Sequence, residues 1–380
     1  MRAFPPPPLL SYAAQLNFNN TSTRKRHQGI IEMHKRDMIR RLISGEAVER
    51  CGFWMGNPHA DMWPIMHEHF GTASELELQK KVGDDLVWIR PGKFENAYQH
   101  PDGLPMFSTA GTCEAHASRG PLADAETVSD VERYPWPNPD YLNIEPCLEA
   151  LRNTGDVYRM SGYWTDFYHK IMDIVGMEEY LVKMYTHPEV IHAITNRACE
   201  FFLEANERFF QAAGNLIDAF FFGNDFGTQQ GLICGPVQFD EFILPWFEKF
   251  TEQGHSHGHQ VVLHPCGSVH EVIDRLIDAG VDCLHPLQAK AANMDAETLA
   301  RDFKGRIAFM GGIDTQDLLV NGTPDQVREE VSRVQELLGP SLIISPSHEA
   351  LLPDIPPENV AAMAEAAQVD VSTSKADGRA

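Results

Sequence analysis

The second half of the chain alternates short apolar runs with amphipathic stretches, and this rhythm restricts the fold more than any other feature of the sequence. From Asp218 onward the apolar runs fall at 219–222, 260–263, 281–284, 306–310 and 341–344, the pattern of consecutive βα units around a parallel sheet. The intervening helices carry their own punctuation. In 269–279, Val272, Ile273, Leu276 and Ile277 share one face, and Gly280 stands where a helix stops. Further on, Thr323 caps a helix, Pro324 takes its first position and Gln326 completes a capping box, ahead of a stripe of Val327, Val331, Val334 and Leu338.

The first half is less regular, yet 51–55, 85–89 and 157–160 each read as a short strand, which brings the total to eight. Eight strands with helices between them predict an α/β fold, a (β/α)8 TIM barrel, and 380 residues suit one such unit with insertions. We expect an N-terminal extension over 1–37, the barrel over 38–368 and a tail over 369–380. The segment 91–141, rich in proline and glycine, reads as an insertion after the second strand. No Gly-x-Gly-x-x-Gly or P-loop follows any of the strands, which weighs against a dinucleotide or nucleotide site.

Charge and composition narrow the function. A formal net charge of −23, with Arg24-Lys25-Arg26 as the one basic run, weighs against nucleic-acid binding. No apolar run approaches the roughly 20 residues of a membrane helix. The N-terminal stretch has a proline run, Pro5 to Pro8, and no secretory pattern. Seven scattered cysteines do not make a disulfide framework. The expectation is a cytoplasmic protein that acts on a small molecule.

In a barrel of this kind the chemistry lies at the C-terminal ends of the strands, so the polar residues after each run belong together. They are Asn57, His59 and Asp61 after the first strand, Asn224 and Asp225 after the fourth, His264 and Cys266 after the fifth, and His285 and Gln288 after the sixth. The seventh ends in Gly311-Gly312-Ile313-Asp314 and the eighth in Ser347-His348-Glu349. His264 and Cys266 are two apart, so on an extended strand both side chains point into one cavity. An imidazole and a thiolate suit zinc, with His348 as the candidate third ligand and an open position for water or a substrate thiol. The alternative is a hydrogen-bonded core histidine beside a small buried thiol.

Asp225 follows three consecutive phenylalanines, and desolvation at such an apolar rim should raise its pKa. It could serve as acid, base or metal partner, or cap the next turn. The run His255-Ser256-His257-Gly258-His259 precedes the fifth strand and is expected on the surface of the opposite, stabilising end. His67 and His69 are expected on a helix after the first strand, away from the site.

These residues, with Gly120-Pro121-Leu122-Ala123-Asp124, Tyr134-Pro135-Trp136-Pro137, Gly176-Met177-Glu178-Glu179-Tyr180, Gly223 to Gly227, Gly312-Ile313-Asp314-Thr315-Gln316 and Pro353 to Val360, give the chain its resemblance. From about Met38 to Ala366 it resembles the uroporphyrinogen decarboxylase superfamily, which includes zinc-dependent methyltransferases that work with corrinoid proteins. The decarboxylases carry an Arg-Gln-Ala-Gly-Arg segment after the first strand, where this chain reads Trp54-Met55-Gly56-Asn57-Pro58-His59-Ala60-Asp61. Without those arginines a polycarboxylate loses its charge-assisted bonds, so porphyrinogen decarboxylation is not expected.

The methyltransferase branch uses a His-x-Cys pair and a later cysteine, whose place is taken here by Ser347-His348-Glu349. The resemblance therefore implies a zinc methyltransferase with His264, Cys266 and His348 as ligands, or a mixed set that adds Asp225. Asp225, Asp314 and His348 would be catalytic. Trp54, Asn57, His59, Phe226, His285 and Gln288 would contact the substrate, Trp54 and Phe226 as pocket walls. The methyl carrier would be a corrinoid on a separate partner protein, and the chain is expected to pair as a homodimer. The rival readings are a metal-assisted decarboxylase or lyase acting on a small carboxylate, and a barrel that binds without catalysis.

Overall fold

In the computed structural model, which describes residues 33–107 and 119–369, eight parallel strands form one sheet curled into a nearly closed barrel with helices around it. The strands are β1 (Gly52–Phe53), β2 (Leu86–Trp88), β3 (Tyr158–Ser161), β4 (Ala219–Gly223), β5 (Gln260–His264), β6 (Cys283–Leu284), β7 (Ala308–Ile313) and β8 (Leu342–Pro346). Every apolar run named above overlaps one of them. Their order is β1-β8-β7-β6-β5-β4-β3-β2, so the ladder is continuous everywhere except between β1 and β2.

That seam is closed by side chains. Asp85 N–H donates to the Phe53 carbonyl at 2.9 Å, while the carboxylates of Asp85 and Asp84 accept from Phe53 N–H (2.9 Å) and Met55 N–H (2.8 Å). Asp85 is wholly buried, and its charge is met by Arg50 through two bonds of 2.6 and 2.8 Å and by Lys35 at 3.4 Å. Lys35 Nζ donates to the Asp84 backbone carbonyl at 2.8 Å, yet burial outweighs this cation and pushes the Asp84 carboxyl well above the usual range.

Period-two alternation sorts the core. In β4, Phe220 and Phe222 point outward against Phe210, Phe247 and Phe250 of the helical layer, whereas Phe221 points into the lumen against Trp54, Trp88 and Trp164. The helix Pro324–Leu338 begins at Thr323 with the expected capping box and buries Val327, Val331, Val334 and Leu338. The stretch expected as one helix over 269–279 is a 3-10 turn, His270–Val272, followed by the helix Ile273–Asp278. The segment between β2 and β3 has helices only at Pro91–Lys93, Val128–Glu132, Pro139–Tyr141 and Glu145–Arg152 among the described residues. The extension and the tail lie mostly outside them. No described helix is long and apolar enough to cross a membrane.

His67 and His69 lie on the helix Met62–Phe70, as expected. The histidine run before β5 is at the far end of the barrel, where His255 meets Asp282 at 2.8 Å and His257 meets Glu207 at 3.0 Å. His259 departs from the expected surface position: it is 4% exposed, packed on Phe210, and burial lowers its pKa to about 4. The reason is register, since it precedes β5 on the same face as Val261 and Leu263 and is covered by the helical layer through Phe210.

Candidate metal centre

The C-terminal ends of β4 and β5 bring three donor atoms together. His264 is the last residue of β5, and Cys266 follows two positions later with Sγ 2.9 Å from His264 Nε2. Asp225, two residues past β4, places Oδ1 3.4 Å from the same nitrogen. One oxygen, one nitrogen and one sulfur thus lie within 4.8 Å of one another. This is a borderline-soft donor set of the kind zinc takes, with three protein ligands and room for a fourth, so the residues present fit the metal.

Glycine makes the convergence possible. Gly267 has φ +86°, and a Cβ there would stand 2.2 Å from the Gly227 carbonyl oxygen, so the two loops touch backbone to backbone. Gly227 N–H donates to the Cys266 carbonyl at 3.0 Å, and Gly267 N–H donates to the Gln288 side chain at 2.9 Å. Gly56 does the same for β1: at φ +91°, its missing Cβ leaves room for the Glu349 carbonyl oxygen, 2.5 Å from where that atom would be.

Around the three donors lies a shell of titratable groups. His285, fully buried, sets Nδ1 3.2 Å from His264 Nδ1, and its other ring nitrogen is buried without a hydrogen bond among the described residues. Burial, then the neighbouring His264 and His348, hold the His285 pKa well below the ordinary value, so this ring is neutral. Glu349 reaches in from the end of β8, with Oε2 3.6 Å from His264 Nδ1 and 3.5 Å from His348 Nδ1. That oxygen is buried and accepts no hydrogen bond among the described residues. His169, on the helix Phe167–Val175, approaches Asp225 Oδ2 at 3.8 Å.

Asp225 reverses the expectation for its pKa. Burial does push it upward, but His264 and His169 outweigh burial and the carboxyl lies below its ordinary range. For His264 burial acts downward and is outweighed by Cys266, Glu349 and Asp225, so its pKa is raised well above the ordinary value. Burial raises the Cys266 thiol, against the pull of His264.

The other expected site residues divide. His348 stands beside the donors and not among them: its ring is 6.3 Å from that of His264, and its Nδ1 accepts from Ala350 N–H at 3.2 Å. Gln288, Asp314 and His348 line a common cavity of about 480 Å³. Asp314 uses both carboxylate oxygens on the turn that follows it, accepting from Gln316 N–H (3.0 Å) and Leu318 N–H (3.2 Å), with Lys290 at 3.5 Å. Trp54 lies in the lumen below the site, its ring 5.4 Å from that of His285. Asn57 and His59 are exposed, and contribute backbone N–H bonds to the carbonyls of Glu349 (2.6 Å) and Leu351 (2.9 Å).

Phe226 is not a pocket wall. It is 1% exposed and packs among Tyr168, Phe239 and Phe247 in the helical layer, since the residue after an inward Asp225 turns outward. Conversely, His169 and Trp164, whose ring is 5.3 Å from that of His264, belong to the site and were not singled out by sequence, and Glu349 was named among the strand-end residues without a role. His169 gives no local signal, because it comes from a helix after β3.

Comparison with curated protein sequences finds no match. Among solved structures, a methyltransferase from Methanosarcina mazei superposes with a TM-score of 0.58 at 16% identity, over 88% of this chain and 98% of that one. Its similarity extends the evidence for the barrel. The family model of uroporphyrinogen decarboxylase (URO-D) matches residues 113–369, more than half of the chain, and the protein therefore belongs to the uroporphyrinogen decarboxylase family.

Proposed function

We propose that the protein is a zinc-dependent methyltransferase that moves a methyl group between a corrinoid on a separate protein and a thiol or related small acceptor. One observation carries this reading: Asp225, His264 and Cys266 offer three metal-ligand atoms within 4.8 Å of one another at the active end of the barrel. Zinc held there would supply Lewis acidity, lowering the pKa of a thiol so that it reacts as the thiolate.

The chain's own groups prepare that chemistry. Glu349 and His285 flank the Nδ1 side of His264 and so orient its Nε2 toward Asp225 and Cys266. Glu349 Oε2, buried and without a hydrogen bond among the described residues, is set to receive the proton that leaves the acceptor. Trp54, Phe221 and Trp164 keep water from the floor of the site.

The test is elemental analysis of the purified protein, followed by incubation with methylcobalamin and small thiols while the cobalt–carbon absorbance is followed. We expect bound zinc and a zinc-dependent loss of the methyl–cobalt signal. Full activity in a metal-free preparation would overturn the reading, as would a zinc-loaded protein that transfers no methyl group.

A further inference from the structure

The two carboxylate oxygens of Asp225 face different partners. Oδ1 lies 3.4 Å from His264 Nε2, on the donor side, and Oδ2 lies 3.8 Å from Nε2 of His169. The second contact is too long for a hydrogen bond and too short to admit a bridging water, so a small rotation of either side chain closes it. The Asp225 side chain is 45% exposed, and the terminal torsion of an aspartate is broad. Left alone, this carboxylate would turn freely or chelate a metal through both oxygens.

His169 is aimed at Oδ2 by Asn224, a strand-end residue that the metal centre itself does not use. Asn224 is wholly buried; its Oδ1 accepts from Tyr168 N–H at 2.8 Å and its Nδ2 donates to the Thr165 carbonyl at 3.0 Å. Its backbone N–H donates to the His264 carbonyl at 2.9 Å. Asn224 thus ties the start of the helix Phe167–Val175, which carries His169, to the strand ends that carry Asp225 and His264. Thr165, also wholly buried, has φ +50°, an unfavourable left-handed conformation for a β-branched residue. Its hydroxyl donates to the Tyr163 carbonyl at 2.8 Å and accepts from Asn206 Nδ2 at 3.0 Å. A strained turn pinned by two buried asparagines fixes the direction of the helix that follows, and with it His169. We propose that His169 is a positioning residue of the metal centre: it holds Asp225 Oδ2, so that the carboxylate meets the metal through Oδ1 alone and the fourth position stays open. This role rests on the metal centre proposed above and not on the identity of the group transferred.

The test titrates the full chain with zinc against a competing chelator, and separately with cobalt(II) while its visible bands are followed. His169→Ala and His169→Phe, the second keeping the bulk of the ring, should each bind zinc about tenfold more weakly than wild type, or worse. Wild type should give the intense cobalt bands of a four-coordinate site, and both variants should lose much of that intensity as Oδ2 turns toward the metal. His169→Gln, which keeps an N–H donor for Oδ2, should return toward wild type in both readings. Wild-type zinc affinity and an unchanged cobalt spectrum in His169→Ala, with native near-ultraviolet circular dichroism, would overturn the proposal. So would rescue by phenylalanine and not by glutamine, the outcome for a residue that only fills space. A wild-type protein that binds neither metal refutes the metal centre and this role together. Metal binding that depends on His169 in a protein that transfers no methyl group refutes the methyltransferase and leaves the role of His169 standing.

Discussion

Gly227 and Gly267 meet so closely that a Cβ on the second would lie 2.2 Å from the carbonyl oxygen of the first. The contact holds Asp225 and Cys266, each within two residues of it, in one place. Gly267→Ala adds both a clash and an unfavourable left-handed backbone, a cost of roughly 1–3 kcal/mol. It should also weaken zinc binding about tenfold or more by moving Cys266. Urea denaturation and competitive zinc titration measure the two effects, and wild-type zinc affinity in this variant would contradict the account.

The third ligand can be told apart by substitution. Asp225→Ala and Cys266→Ser should each reduce bound zinc from about one per chain to a small fraction of that, with the fold retained. His348→Ala should keep its zinc while turnover falls, because the ring stands beside the donors. Loss of zinc in His348→Ala with retention in Asp225→Ala would exchange the two roles.

At the β1–β2 seam, Asp85→Ala removes a wholly buried carboxylate and leaves Arg50, Lys35 and Phe53 N–H without it. The expected loss is about 3–5 kcal/mol in equilibrium unfolding. A loss below about 1 kcal/mol would mean that these groups find solvent or other partners.

His259 makes stability depend on pH. Its folded pKa is lowered by burial to about 4, below the ordinary 6.5, so on acidification the unfolded chain takes up the proton first. Stability is therefore intact above about pH 6.5 and declines as the pH falls toward 4, by up to about 3 kcal/mol. His259→Leu should flatten that part of the unfolding curve. An unchanged slope would place the titration elsewhere.

The strands were legible because each is a short apolar run bounded by polar residues, and the run 219–222 even declares its alternation once Phe221 is seen between two outward rings. His264 and Cys266 were legible for the same reason, as neighbours on one face of an extended segment. What sequence missed depends on distance across the barrel. His169 reaches Asp225 from a helix 56 residues earlier in the chain, and no local pattern announces it. Phe226 was misplaced because an aromatic next to a functional aspartate suits a pocket wall and a core position equally well. The Asp225 pKa was misjudged because desolvation can be read from flanking phenylalanines, whereas the opposing histidines arrive by folding.

The position of β1 in the sheet has a consequence for synthesis. Its ladder partner is β8, with Gly52 opposite Ile343, almost 300 residues later in the chain. At about 5–20 residues per second, a ribosome that has made β1 needs roughly 15–60 s to deliver that partner. Throughout that interval β1 lacks its ladder partner, and the bonds of Phe53 and Met55 N–H to Asp85 and Asp84 are the hydrogen bonds that tie it to the earlier-made β2.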